Sequence, residues 1–196
     1  MTTKESILYE SLKLFSTNGY DAVSTRMIAR AINASDTVIY KHFDSKQEIF
    51  DTIVKLCHEK FETKRNEVSL DSISWQEMEK VCLDRYEFLT KDEWIVMFRK
   101  LLLVEQFKNP EMGKLYKDIF IDYPIKATTE HFRKLINKGY MKDGDPKVYA
   151  IELYAPFFLY SNESEISEET KNALMEHVVN FRRNVVDGIE SNQFGL

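Results

Sequence analysis

Apolar residues recur every three or four positions along most of this chain, as in Leu8, Leu12 and Phe15, then Ile49, Ile53, Cys57 and Phe61, then Leu174, Val178, Phe181 and Val185. The spacing follows the 3.6-residue turn and gives each run one apolar face, so these segments read as amphipathic helices. Trp94 to Phe107 is apolar almost all round, which places it at the centre of a bundle, where Arg99 and Glu105 need partners. No strand alternation, internal repeat or low-complexity tract is present. The pattern predicts an all-α protein.

Helix boundaries are written in the polar residues. Ser45 with Glu48, Ser74 with Glu77 and Thr90 with Glu93 have the spacing at which a hydroxyl and a carboxylate satisfy the free amides of a first turn. Asn109-Pro110 and Asp145-Pro146 predict two more starts, because proline costs nothing at the first helical position. Pro124 and Pro156 fall inside helical patterns and predict a kink or split, while Gly139 predicts a stop. One unbroken run from Ser45 to about Lys64 leaves a cluster of short N-terminal helices and enters the larger helical region.

Composition narrows the class. The 196 residues include 6 Gly and 4 Pro, too few for an all-β chain, and 43% hydrophobic residues, enough for a core. The net charge of −5 argues against nucleic acid as a partner only on average. Through Arg65 there are 10 basic and 9 acidic residues, so the acidity lies in the remainder. Cys57 and Cys82 give no disulfide framework and no metal-knuckle spacing, and read as buried hydrophobes. The N-terminus has no signal-peptide pattern, and the longest apolar stretch is shorter than the ~20 residues of a membrane span. A cytoplasmic protein without membrane attachment is expected.

The informative segment is Gly19 to Phe50. A short helix from Thr25 to about Ile32 presents Ile28, Ala29 and Ile32 on one face, Asn33-Ala34 forms a turn, and a second short helix starts at Ser35. Asn33 tolerates the left-handed backbone angles such a turn requires. Val38, Ile39 and Phe43 then face inward, leaving Asp36, Thr37, Tyr40 and Lys41 outside. This is the geometry of a helix-turn-helix, whose second helix enters the major groove.

The segment resembles the DNA-binding domain of the TetR family of transcriptional regulators over about residues 4 to 50. The residues that carry the resemblance are Leu14-Phe15, Asn18-Gly19-Tyr20, Ser24-Thr25, Ile28-Ala29, Ile39-Tyr40, Phe43 and Ser45-Lys46. It implies that Thr25, Tyr40, His42 and Lys46 touch phosphate, that Arg26, Asp36, Thr37 and Lys41 read bases, and that Ser35 opens the recognition helix beside them. Physical alternatives stand next to several of these roles. Arg26 fits a bidentate bond to guanine or a salt bridge, Asp36 fits service at a helix N-terminus better than acceptance from cytosine, and His42 fits packing as well as phosphate. Lys46 fits phosphate contact or simple solvation. Asn33 stands where the family commonly has glycine, and Thr37 where a small residue is common, so the resemblance transfers no operator sequence.

The same resemblance assigns residues 1–48 to DNA binding and 49–196 to effector binding and dimerisation. It implies a homodimer paired through the last two helices, Pro146 to Tyr160 and about Ser167 to Ile189, on a palindromic operator in double-stranded DNA. The central helices supply Trp94, Phe98, Phe107, Tyr116, Phe120, Tyr123 and Tyr154 as candidate walls of a pocket for a small-molecule effector, with core packing as the alternative for each. Arg99, Glu105 and His131 suit either ligand orientation or buried ion pairs. No cofactor is implied. His58 and Glu62 lie one turn apart but do not make a metal site, and no nucleophile elbow or phosphate loop occurs, so catalysis is not expected. A helical adaptor without DNA binding is the alternative, suggested by the near-neutral first third and by Asp36.

Overall fold

The computed structural model describes residues 2–68, 75–163 and 167–186. Its elements are α1 (Thr3–Asn18), α2 (Thr25–Ala31), α3 (Asp36–Tyr40), α4 (Lys46–Asn66), α5 (Trp75–Lys91), α6 (Glu93–Glu105), α7 (Pro110–Lys117), a π-helical turn (Asp118–Asp122), α8 (Tyr123–Asn137), α9 (Pro146–Tyr160) and α10 (Glu168–Val186). There is no strand among the described residues. The chain forms two compact units, residues 1–66 with 90–116 and residues 67–89 with 117–196.

Local chemistry accounts for the starts. Glu48 N–H donates to Ser45 Oγ at 3.0 Å, and the Glu48 carboxylate accepts from the Asp44 amide. Asn109 Oδ1 accepts from Glu111 N–H at 2.9 Å, and Asp145 Oδ1 from Lys147 N–H at 2.8 Å, so both Asn/Asp-Pro starts form as expected. α1 opens on a further capping box, Thr2 with Glu5, that is not among the starts predicted above. The Ser74 start lies outside the described residues. The Thr90 start does not form: α5 continues to Lys91, and Asp92 caps α6 by accepting from Ile95 N–H at 3.1 Å. A carboxylate at the N-cap also meets the helix dipole, an advantage the Thr90 hydroxyl lacks.

Proline acts differently at its two sites. Pro124 sits in the first turn of α8, directly after the π turn, and the carbonyl that an α-helical amide at 124 would use belongs to Phe120. Tyr154 OH donates to that carbonyl at 2.7 Å, so the group orphaned by proline is satisfied from α9. Tyr154→Phe is expected to remove this bond and cost about 1 kcal/mol, read as a lower urea midpoint at unchanged slope. Pro156 does not split α9. Its missing bond would run to Glu152, which like Ala155 is exposed, so the freed carbonyl lies on the open side of the helix. α8 ends as expected, with Gly139 at φ +73° and Tyr140 N–H donating to Leu135 O at 2.9 Å.

In the first unit α1 packs against α4 and α6, burying Ile7, Leu12 and Phe15 with Ile49, Ile53, Phe98 and Leu101. α6 is tied to the N-terminal helices by polar bonds as well. Tyr9 OH donates to Glu93 at 3.1 Å, and Lys60 Nζ lies 2.6 Å from Asp92 Oδ2. At its far end the buried Glu105 accepts from Tyr20 N–H at 3.2 Å, which answers the need for a partner created by an apolar helix. In the second unit α8, α9 and α10 pack around Phe132, Leu153, Phe157, Leu174, Val178 and Phe181. Burial pushes the Cys57 and Cys82 thiols up to about 12, as expected for cysteines used as hydrophobes.

Candidate nucleic-acid interface

Ser24 caps α2 by accepting from Met27 N–H at 3.3 Å, so Thr25 is the first helical residue. α2 turns into α3 through Asn33 at φ +54°, the left-handed position expected of it, with Ala34 N–H donating to Ala29 O at 2.8 Å. Ile39 and Phe43 are buried against Ile28 and Ala29, while Val38 and Ile32 are only half-buried. That footing turns the other side of α3 outward. Ser35, Thr37, Tyr40, Lys41 and His42 are exposed, Tyr40 at 54%. Ser35 occupies the N-cap position but makes no side-chain cap bond.

Five expected residues are already engaged. Arg26 Nε lies 3.0 Å from Asp36 Oδ2, which joins α2 to α3. Asp36 stands in the first turn of α3, at the helix N-terminus expected of it, and from there its carboxylate also pairs with the Arg26 guanidinium across the motif. Thr25 Oγ1 and Tyr40 OH are 3.3 Å apart and form one hydroxyl pair on the outer surface. Lys46 is neither solvated nor idle. Its ammonium donates to Tyr20 O at 2.9 Å and Val23 O at 3.0 Å and sits 4.2 Å over the Tyr20 ring. Burial, with Asp51 and Asp21 nearby, raises the Tyr20 phenol above its ordinary value, so it stays protonated and donates to Gln47 Oε1 at 2.9 Å. The loop between α1 and α2 is thus held by Lys46 and Tyr20 through bonds within the protein.

The candidate effector residues divide between the two units. Phe98 and Tyr116 are buried in the first unit, Trp94 packs edge-on against Tyr9 with centroids 5.9 Å apart, and Phe107 is 86% exposed. Phe120 is buried and Tyr123 exposed. Of the seven, only Tyr154 lines the open groove of about 680 Å³ between α8 and α9. Its other walls are Ile121, Ile125, Ile151, Ala155 and Phe158, with Lys126, Glu130, Arg133 and Lys147 at the rim. Aromatic spacing located helix faces but not which faces meet, and the isoleucines that line the groove carried no signal distinguishing them from core. No cluster of His, Cys, Asp and Glu able to hold a metal occurs among the described residues. No helix there is long and apolar enough to cross a membrane.

A bihelical motif with an exposed polar second helix, carried on an otherwise helical chain, defines a helix-turn-helix DNA-binding protein. Residues 7–53 match the family described as bacterial regulatory proteins, tetR family. The chain is 28% identical over 151 aligned residues to the biofilm operon icaADBC negative transcriptional regulator IcaR of Staphylococcus aureus strain Newman, covering 68% of this chain and 77% of that one. It is 25% identical over 138 residues to the transcriptional regulator QacR of S. aureus strain Mu50, covering 70% and 65%. Its fold matches the structure of a complex of SmeT, the Stenotrophomonas maltophilia efflux-pump repressor, with triclosan at a TM-score of 0.71 and 20% identity over 97% and 95% of the two chains. Residues 7–53 thus carry a DNA-binding domain of the tetR-family kind, and the chain is similar over about two thirds of its length to transcriptional regulators.

Proposed function

We propose that this protein is a homodimeric, cytoplasmic repressor that binds a palindromic operator and is released by a small molecule. The observation that carries the reading is the exposed polar side of α3, with Thr37, Tyr40, Lys41 and the following His42 turned outward over the buried Ile39 and Phe43. The Thr25–Tyr40 pair and His42 take phosphate, Thr37 and Lys41 read base edges, and Ser35 lies beside them at the start of the helix. Arg26 and Asp36 hold α2 and α3 in register and reach DNA together. With Arg26 beside it, the Asp36 carboxylate no longer argues for an adaptor that has lost DNA binding. Lys46 acts from behind, through the loop it binds.

The working division is DNA reading by residues 1–48 and effector binding and dimerisation by 49–196. One recognition helix binds weakly, whereas two related by a dyad and about 34–36 Å apart reach successive major grooves on one side of the duplex. For pairing, α9 offers Val148, Ile151 and Leu159 exposed along one side, while the exposed positions of α10 include Glu176, Asn180, Arg183 and Asn184. The two helices thus bring an apolar and a polar contribution to a four-helix contact. The α8–α9 groove, apolar in its walls and charged at its rim, suits an amphipathic effector. Release requires that the effector bind the DNA-incompetent state more tightly. The family relationship supports a regulator rather than a catalyst.

Selection from random duplexes at fixed salt tests the reading, with two inverted half-sites one helical turn apart as the expected result. Recovery of no preferred sequence would overturn it. On the selected duplex, Lys41→Ala is expected to reduce the slope of log affinity against log salt by about 0.9 for each phosphate that the lysine neutralises, and a slope equal to the parent's would remove Lys41 from the interface.

A further inference from the structure

Glu105 is an odd residue to bury. It ends α6 at 2% exposure, where the negative end of the helix dipole disfavours a carboxylate, and taking a charge from water is costly unless it is well bonded. Its neighbours show what the carboxylate is for. Oε1 accepts from Tyr20 N–H at 3.2 Å and lies 3.7 Å from the exposed Lys108 Nζ. Gly19 closes α1 at φ +84°, and a Cβ there would stand 2.8 Å from the same oxygen, so the backbone approaches Glu105 only because that residue is glycine.

The other side of the loop is held equally firmly. Lys46 donates to the carbonyls of Tyr20 and Val23, and Val23 is buried next to Ser24, the cap of α2. Tyr20 is therefore gripped through its amide by α6 and through its carbonyl by α4. Behind α6, Gly113 of α7 leaves no room for a side chain, since a Cβ would meet Gln106 O at 2.9 Å. Close contacts thus run from α7 through Gln106 and Glu105 to the loop from which the DNA-facing helices start.

We propose that Glu105 is a positioning residue for DNA recognition: through the Tyr20 amide its carboxylate sets the seat of the loop from Gly19 to Val23, and with it the placement of α2 and α3 against α6. Glu105 itself touches no DNA. A purely structural carboxylate, when replaced by leucine, would lower folding stability by leaving the Tyr20 amide without its acceptor, yet would leave the ratio of operator to scrambled-duplex affinity unchanged in the folded chain. A positioning carboxylate changes that ratio.

The inference rests on the DNA-binding reading, and the test separates the two. Parent, Glu105→Gln, Glu105→Leu and Glu105→Asp chains are compared for affinity to the selected operator and to a scrambled duplex of equal length, with helicity and oligomeric state measured alongside. Glutamine keeps an acceptor at the same reach and should hold the operator-to-scrambled ratio within about threefold of the parent. Leucine, and aspartate, which is one methylene short, should lower that ratio at least tenfold with scrambled-duplex affinity unchanged. Should the leucine chain not fold, aspartate carries the comparison. Leucine or aspartate ratios equal to the parent's, or a glutamine loss as large as theirs, overturn the proposal. A parent without operator preference would instead overturn the DNA-binding reading.

Discussion

Gly19→Ala is expected to lower stability by about 3 kcal/mol, combining strain of about 1–3 kcal/mol in a backbone region open essentially to glycine with the cost of pushing a methyl into a filled site. At φ +84° and ψ 156° an L side chain is strained whatever the space, and here its Cβ would also lie 2.8 Å from Glu105 Oε1. Gly139→Ala provides the comparison, since φ is +73° but no atom lies within 4 Å of the added carbon. That variant should bear the strain alone, about 1 kcal/mol. Urea unfolding followed by far-ultraviolet circular dichroism gives both values. Equal shifts for the two variants would mean that the Glu105 carboxylate yields freely to the new methyl.

Lys46→Ala is expected to cost about 2 kcal/mol of stability and to weaken operator binding at least tenfold, while leaving the salt slope close to the parent's. The lysine loses two bonds to the Tyr20 and Val23 carbonyls and its position over the Tyr20 ring, so the loop before α2 loses its anchor. A lysine on phosphate behaves differently, because removing it flattens the salt dependence. The contrast with Lys41→Ala distinguishes an ammonium acting within the protein from one acting on the duplex. A flattened slope with unchanged stability would return Lys46 to the phosphate-contacting role implied by resemblance.

The N-terminal motif was legible because it is built from local signals. Ser24 and Asn33 set helix ends within a few residues of themselves, and Ile28 and Ile39 mark the inner faces of two helices too short to have more than one. A salt bridge stands among the readings of Arg26 but without its partner Asp36, since ten residues and a turn separate the two and nothing in their spacing fixes the distance. Thr90 misled because two cap patterns overlap there, and Asp92, two residues on, prevailed. Lys46 could not be read at all: its partners are backbone carbonyls, which every residue possesses and no sequence pattern marks. The effector side was least legible, because apolar spacing says that a face is buried but not against what. Tyr154 and Phe120 show the point, being joined through a carbonyl that Pro124 cannot use.

The two cysteines have a practical bearing on measuring how far apart the recognition helices stand. With both thiols held near 12, almost none of either is thiolate at neutral pH, and thiolate is the form that maleimides and methanethiosulfonates attack. A single cysteine placed at an exposed position such as Lys41 should therefore take a fluorophore or spin label in the otherwise native background, and in the proposed homodimer it would give one matched pair of reporters.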